Sequence, residues 1–85
     1  MYYTYVLKSE KDNKLYIGYT SNIENRILLH QGGQVDSTKN RLPVKLIYYE
    51  AFLSKKDAQN EEKYLKSGGN AHNGLILRLS ESLKL

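Results

Sequence analysis

Apolar and polar positions change their period along this chain, and the period limits what each stretch can become. Residues 2–8, Tyr-Tyr-Thr-Tyr-Val-Leu-Lys, are mostly aromatic or β-branched and suit a strand. A period of two places Tyr3, Tyr5 and Leu7 on one face and Tyr2, Thr4 and Val6 on the other. Ser9 to Asn13 is a polar turn, and Lys14 to Gly18 reads as a second strand, completing a hairpin. If Leu7 lies opposite Lys14, Tyr5 falls opposite Tyr16 and both phenols project to the same side. Ser21-Asn22-Ile23-Glu24 matches a capping box and predicts a helix that runs to Gln31 and stops at Gly32-Gly33.

The next segment, residues 32–43, is a loop of a length that is uncommon inside compact domains and often functional. Its Ser37, Thr38, Lys39 and Arg41 suit phosphate contacts, although a solvated connector accounts for them equally well. Val44 to Phe52 forms the third strand. Its apolar residues fall on both faces, with Val44, Leu46, Tyr48 and Phe52 on one and Ile47, Tyr49 and Ala51 on the other. That pattern predicts cover on both sides of the sheet. Ser54-Lys55-Lys56-Asp57 caps a helix to about Ser67, which Gly68-Gly69-Asn70 breaks. A last amphipathic helix aligns Leu75, Ile76, Leu79 and Leu83. The order β-β-α-β-α-α is an α+β arrangement, a small three-stranded antiparallel sheet flanked by helices in a single domain spanning residues 1–85.

Composition narrows this picture. A chain of 85 residues has a thin core, so each large inward side chain matters to stability. The chain has no cysteine, which rules out disulfide staples and thiolate zinc sites and fits a reducing cytoplasmic setting. No apolar run reaches membrane-spanning length, and the N-terminus reads straight into a strand without a signal-peptide layout. A net charge of +4 favours an anionic partner such as nucleic acid, though solubility alone also accounts for it. Eight tyrosines against one phenylalanine and no tryptophan is the more unusual feature. Buried phenols need hydrogen-bond partners, so this is a core of amphipathic rings or a site that uses phenols.

Glu62 is the most informative single residue. It lies between Ala58 and Leu65 on the inward stripe of its helix, where an unpaired carboxylate is costly. Its partner would be a metal ion, Arg26 or a tyrosine hydroxyl. An ordinary structural ion pair is the plainer reading. Glu61 should turn further toward solvent. Arg26 and His30, four residues apart, are neighbours beside the Ile23–Ile27 stripe. Arginine holds phosphate oxygens bidentately, and histidine passes protons near neutrality. Taken singly, a solvated helix edge explains the pair as well. His72 is read as a surface residue.

Spacing changes these odds. Tyr3-Thr4-Tyr5 is followed by Val6-Leu7, and Tyr16-Ile17-Gly18 begins eleven residues after Tyr5. Arg26 follows Gly18 by eight residues and His30 follows Arg26 by four. The helix carries Ala58-x-x-x-Glu62-x-x-x-Lys66. In this order and register the chain resembles the GIY-YIG nuclease superfamily, most of all its small bacterial members related to the excinuclease ABC catalytic domain. The segment from Ser37 to Pro43, followed by Tyr48-Tyr49-Glu50-Ala51-Phe52, resembles the connecting stretch of those members. The likeness extends to about Ser67. Two departures stand out: Tyr3 and Thr4 replace the glycine and isoleucine of the first triad, and Asn25 stands where many relatives carry a second arginine.

The resemblance implies a metal-dependent endonuclease acting on phosphodiester bonds of DNA, in DNA repair or recombination. It implies catalytic roles for Tyr5, Tyr16, Arg26, His30 and Glu62, with Glu62 holding one divalent cation, Mg²⁺ or Mn²⁺. Tyr16 would support Tyr5 by a hydrogen bond. Gly18 would let nucleic acid approach the backbone, and Lys39, Arg41 and Lys66 would contact it. A homodimer would enlarge the small basic footprint. Two other readings stand beside this one. The first is a nucleic-acid-binding module that keeps the fold without catalysis. The second is a protein-interaction scaffold whose tyrosines are core.

Overall fold

The computed structural model describes residues 1–85. Strands β1 (Tyr2–Ser9) and β2 (Leu15–Thr20) lead into helix α1 (Ile23–Gln31), followed by strand β3 (Val44–Phe52). Helices α2 (Lys55–Lys66) and α3 (Gly69–Arg78) come next, and a 3₁₀ turn at Ser82–Lys84 ends the chain. The strands form one antiparallel sheet in the order β2-β1-β3. The β-β-α-β-α-α arrangement read from the pattern is therefore the fold.

Central placement explains why β1 carries apolar residues on both faces: Thr4, Tyr5, Val6 and Leu7 are all buried. One face packs Val6 with Leu65, Leu75 and Leu79 under α2 and α3, flanked by Ile17, Ile47 and Tyr48. The other packs Tyr5, Leu7 and Val44 under α1, against Ile23, Ile27, Leu42 and Leu46. Both sides of the sheet are covered, as the pattern of the third strand required. The strict alternation expected of that strand fails at Ile47. The ladder jumps from Val6↔Tyr48 to Leu7↔Leu46, so Ile47 is bulged. The bulge lets adjacent Ile47 and Tyr48 both reach the α2–α3 side.

The hairpin register differs from expectation by two residues. Tyr5 pairs with Gly18 and Leu7 with Tyr16. The cause lies in the turn. Ser9 and Lys14 close it, with Ser9 N–H donating to Lys14 O at 3.0 Å and Asn13 N–H to Ser9 O at 2.9 Å. Ser9 Oγ accepts the N–H groups of Lys11 and Asp12, and Asn13 takes a left-handed φ of 61°. This chemistry stabilises a four-residue loop where a tighter one was expected. An even shift keeps the faces unchanged, so Tyr5 and Tyr16 still share the α1 side.

The helix caps follow the same logic with small displacements. Asn22, one residue beyond the expected Ser21, caps α1 through its side chain, which accepts from Asn25 N–H. Ser54 caps α2 as expected by accepting from Asp57 N–H. The break after α2 is shorter than the Gly68-Gly69-Asn70 run suggested, because Gly69 and Asn70 already belong to α3. Leu75 and Leu79 are buried, but Ile76 is exposed. Leu79 caps α3 and Leu83 sits in the 3₁₀ turn, so the apolar row extends beyond the helix itself.

Candidate active site

The expected site residues come from four elements. β1 contributes Tyr5, and β2 contributes Tyr16 and Gly18. α1 contributes Arg26 and His30, and α2 contributes Glu62 and Lys66. All seven line one cavity of about 440 Å³. Leu15, Tyr16, Ile17, Gly18 and Tyr19 in succession also line it. The cavity therefore follows the outer edge of β2, where side chains from both sheet faces meet. This is how Tyr5, beneath α1, and Glu62, on the α2 side, come to share a space.

Tyr5 is buried, and its hydroxyl is hydrogen bonded to His30 Nε2 at 2.8 Å. Arg26 Nε–H donates to the same oxygen at 3.3 Å. The Tyr5 and His30 rings meet edge to face, with centroids 5.6 Å apart. On its far side His30 Nδ1 is hydrogen bonded to Thr38 Oγ1 at 2.8 Å. Burial, and secondarily the Arg26 charge, hold the His30 imidazole below its ordinary pKa, so the ring is neutral at pH 7.

Gly18 has a steric role within the chain. A Cβ there would lie 2.3 Å from Tyr5 Cζ and Oη. The phenol ring therefore crosses the strand at the one residue without a side chain.

Tyr16 does not reach Tyr5 by a hydrogen bond as expected. Its hydroxyl donates to Asp12 Oδ2 at 3.0 Å, and Arg41 Nε pairs with the same oxygen at 3.1 Å. Burial, and then the bonded Asp12 carboxylate, raise the Tyr16 phenol above its ordinary pKa. The backbone N–H of Lys14, foremost, holds Asp12 below the usual carboxylate range. Asp12 was missed because an acid in a polar turn looks like any turn residue in sequence. Its two partners are distant in the chain or fixed by the register.

Glu62 is half-buried, with its side chain 23% exposed, and pairs with Lys66 at 3.0 Å. The inward placement expected of it holds only in part. Glu61, expected to turn further toward solvent, is instead partly buried near Glu50, and burial and that neighbour raise its pKa. Glu50 and Glu61 lie on β3 and α2, and their meeting depends on how the helix packs over the sheet, which helical spacing alone does not reveal.

The loop residues divide. Thr38 is fully buried against His30, so it is not a surface phosphate contact. Lys39 pairs with exposed Asp36 at 3.4 Å, and neither Lys39 nor Arg41 lines the cavity. Arg41 instead anchors Asp12. Ser37 does line the cavity, as does His72, which was expected at the surface. His72 arrives there because α3 starts immediately after Gly68 and folds back beside α2.

The donor set toward a metal is sparse. No group of three or more His, Cys, Asp or Glu side chains converges anywhere in the protein. Glu62 is the one carboxylate lining the cavity, and it offers hard oxygens beside the Tyr5–Arg26–His30 cluster. That set suits a divalent cation whose remaining ligands are water and substrate phosphate.

Comparison with known proteins accords with this geometry. A UPF0213 protein of Clostridium perfringens is 48% identical over 67 residues, covering 78% of this chain and 71% of that protein. A UPF0213 protein of Staphylococcus haemolyticus is 46% identical over 67 residues, covering 78% of this chain and 80% of that one. The solution NMR structure of a UPF0213 protein from Bacillus halodurans superposes with a TM-score of 0.57 at 31% identity, over 93% of this chain and 85% of that one. The GIY-YIG catalytic domain profile matches residues 1–75. With these matches and the tyrosine–arginine–histidine–glutamate cavity, the chain belongs to the GIY-YIG nuclease family.

Proposed function

We propose that this protein is a divalent-metal-dependent endonuclease that hydrolyses phosphodiester bonds of DNA, acting in repair or recombination. The observation that carries the reading is the meeting of Tyr5, Arg26, His30 and Glu62 in one cavity although their chain positions span 57 residues. A scaffold whose tyrosines serve only as core has no need to hold a buried phenol against an arginine and a neutral histidine.

In this reading water attacks phosphorus in line with the leaving oxygen. Tyr5 first releases its hydroxyl proton to solvent. As the new P–O bond forms, the phenolate takes the proton of the attacking water, and the leaving oxygen departs with the electron pair of its bond and is protonated by solvent. Tyr5 is favoured over Tyr16 as the base. Cationic Arg26 touches the Tyr5 oxygen, whereas Tyr16 is tied to an anion that disfavours its deprotonation. Arg26 also faces the charge that develops on the phosphate. Glu62 would hold a Mg²⁺ or Mn²⁺ ion, which supplies Lewis-acid stabilisation of the phosphate oxygens when bound. Lys66, now paired with Glu62, is placed to turn toward a phosphate.

The test uses plasmid, single-stranded and branched DNA with Mg²⁺ or Mn²⁺. Wild type should cut at least one substrate. Glu62→Ala and Tyr5→Phe should each lose on the order of 10²-fold or more in rate while remaining folded. Failure of wild type to cut any of them, or full activity of Glu62→Ala, ends the proposal.

The Lys66–Glu62 pair favours a second reading, because the single cavity carboxylate is already neutralised. A non-catalytic nucleic-acid-binding module would bind in a salt-sensitive way, cut nothing, and bind equally well as Glu62→Ala.

A further inference from the structure

Thr38 lies in the loop expected to contact phosphate, yet it is fully buried. Turns at Thr38 N–H to Val35 O (3.1 Å) and Arg41 N–H to Thr38 O (2.8 Å) fold the loop so that its hydroxyl points at His30. His30 Nδ1, 2.8 Å away, is the sole hydrogen-bond partner of that hydroxyl.

This isolation decides where the imidazole proton sits. A threonine hydroxyl has one proton to give, and a neutral imidazole has one N–H and one bare nitrogen. If Nδ1 carried the ring proton, it would donate to Thr38 Oγ1 and leave the hydroxyl hydrogen buried without an acceptor. An unsatisfied buried donor is costly. If Thr38 O–H donates to a bare Nδ1, the ring proton lies on Nε2. The one hydrogen then left without a protein acceptor is that of Tyr5, which lines the cavity where water can accept it, whereas Thr38 does not line it. Nε2–H then donates to Tyr5, whose oxygen already accepts Arg26 Nε–H.

We infer that Thr38 is a positioning residue that fixes neutral His30 as its Nε2–H tautomer, so that the Tyr5 oxygen accepts two N–H donors and directs its own hydrogen into the cavity. The consequence is directional. Two donors stabilise negative charge on the phenol oxygen, so once Tyr5 has released its own hydrogen to water in the cavity the remaining phenolate can take the proton of the attacking water. In the opposite tautomer Tyr5 would spend its hydrogen on His30, facing away from substrate. The burial that keeps His30 neutral preserves this arrangement through neutral pH. The kinetic consequence rests on the nuclease reading, whereas the tautomer does not.

The experiment is long-range ¹H–¹⁵N NMR of the His30 ring in the labelled full chain at pH 7, without substrate, paired with cleavage kinetics. Wild type should show a protonated Nε2 and a bare Nδ1. Thr38→Val, close to threonine in shape, should release the lock and give averaged shifts for the two nitrogens. Thr38→Ser, which keeps the hydroxyl, should restore the wild-type pattern. In cleavage, Thr38→Val should lower kcat roughly tenfold or more with KM unchanged, and Thr38→Ser should recover most of it. A protonated Nδ1 in wild type, or ring shifts unmoved by Thr38→Val, overturns the inference whether or not the protein cuts DNA. A wild type that cuts nothing while showing the Nε2–H tautomer overturns the nuclease reading and leaves the tautomer standing.

Discussion

Where a side chain at residue 18 would stand, the ring of Tyr5 lies instead. The Tyr-Ile-Gly triplet therefore has a steric reason internal to the protein: its glycine makes room for the phenol across the hairpin. Gly18→Ala should leave the fold intact, because the clash is with the end of one ring, yet push the Tyr5 hydroxyl out of reach of His30 and Arg26. Cleavage by Gly18→Ala should fall on the order of 10²-fold in a protein that still folds but melts at a lower temperature, because the buried Tyr5 ring must shift and give up its hydrogen bonds. A variant as active as wild type would show that the position of the ring is not critical. The residue types needed for chemistry were legible in sequence, but their pairings were not. Tyr16 was expected to assist Tyr5 and is bound to Asp12, while Arg41 and Thr38, both expected at phosphate, brace Asp12 and His30.

Among the elements, α2 depends on a contact that no helical pattern announces. Thr4, fully buried on β1, donates its hydroxyl to Ala58 O at 2.6 Å. Ala58 lies one turn before Glu62, so this bond ties the turn bearing the cavity carboxylate to the central strand. Thr4→Val keeps the shape and removes the donor. It should cost about 1 kcal/mol in urea unfolding and reduce cleavage more than stability if Glu62 drifts. Equal stability of the two proteins would deny the bond any structural weight. Strand and helix boundaries were largely legible, since caps and glycines are local signals. The hairpin register and the bulge at Ile47 were not, because they depend on turn hydrogen bonds and on two different layers competing for β3.

At the scale of the whole molecule, a second carboxylate site joins β3, α2 and α3 away from the cavity. Burial, and then the neighbouring Glu50 carboxylate, raise the Glu61 pKa above the ordinary glutamate range. Burial and Glu50 push the Tyr48 phenol up to about 12, and Arg78 is the cation facing the group. Glu50 Oε1 is buried without a hydrogen-bond partner. Glu61, with its folded pKa raised above the ordinary glutamate value of 4.5, stabilises the fold below that pH. The contribution is lost as pH rises through the raised value, because the folded state then gives up a proton that the unfolded chain has already released. Glu61→Gln supplies a permanent N–H donor, so it should raise the melting temperature by a few degrees at pH 7.5, with the gain vanishing near pH 4. A pH-independent difference would mean that the fold does not raise the Glu61 pKa.

By itself the sequence determined the element order, the cover on both sheet faces, the family and seven of the residues that line the cavity. These follow from periodicity, capping chemistry and motif spacing, all of which act over a few residues of chain. The tertiary structure alone decided the partners that the polar side chains find: Thr38 behind His30 and Asp12 on Tyr16 at the cavity, and Glu50 near Glu61 away from it. Each of these joins residues whose approach depends on how layers pack around the sheet. A buried polar group must find a partner, but which partner it finds depends on distance in space and not along the chain.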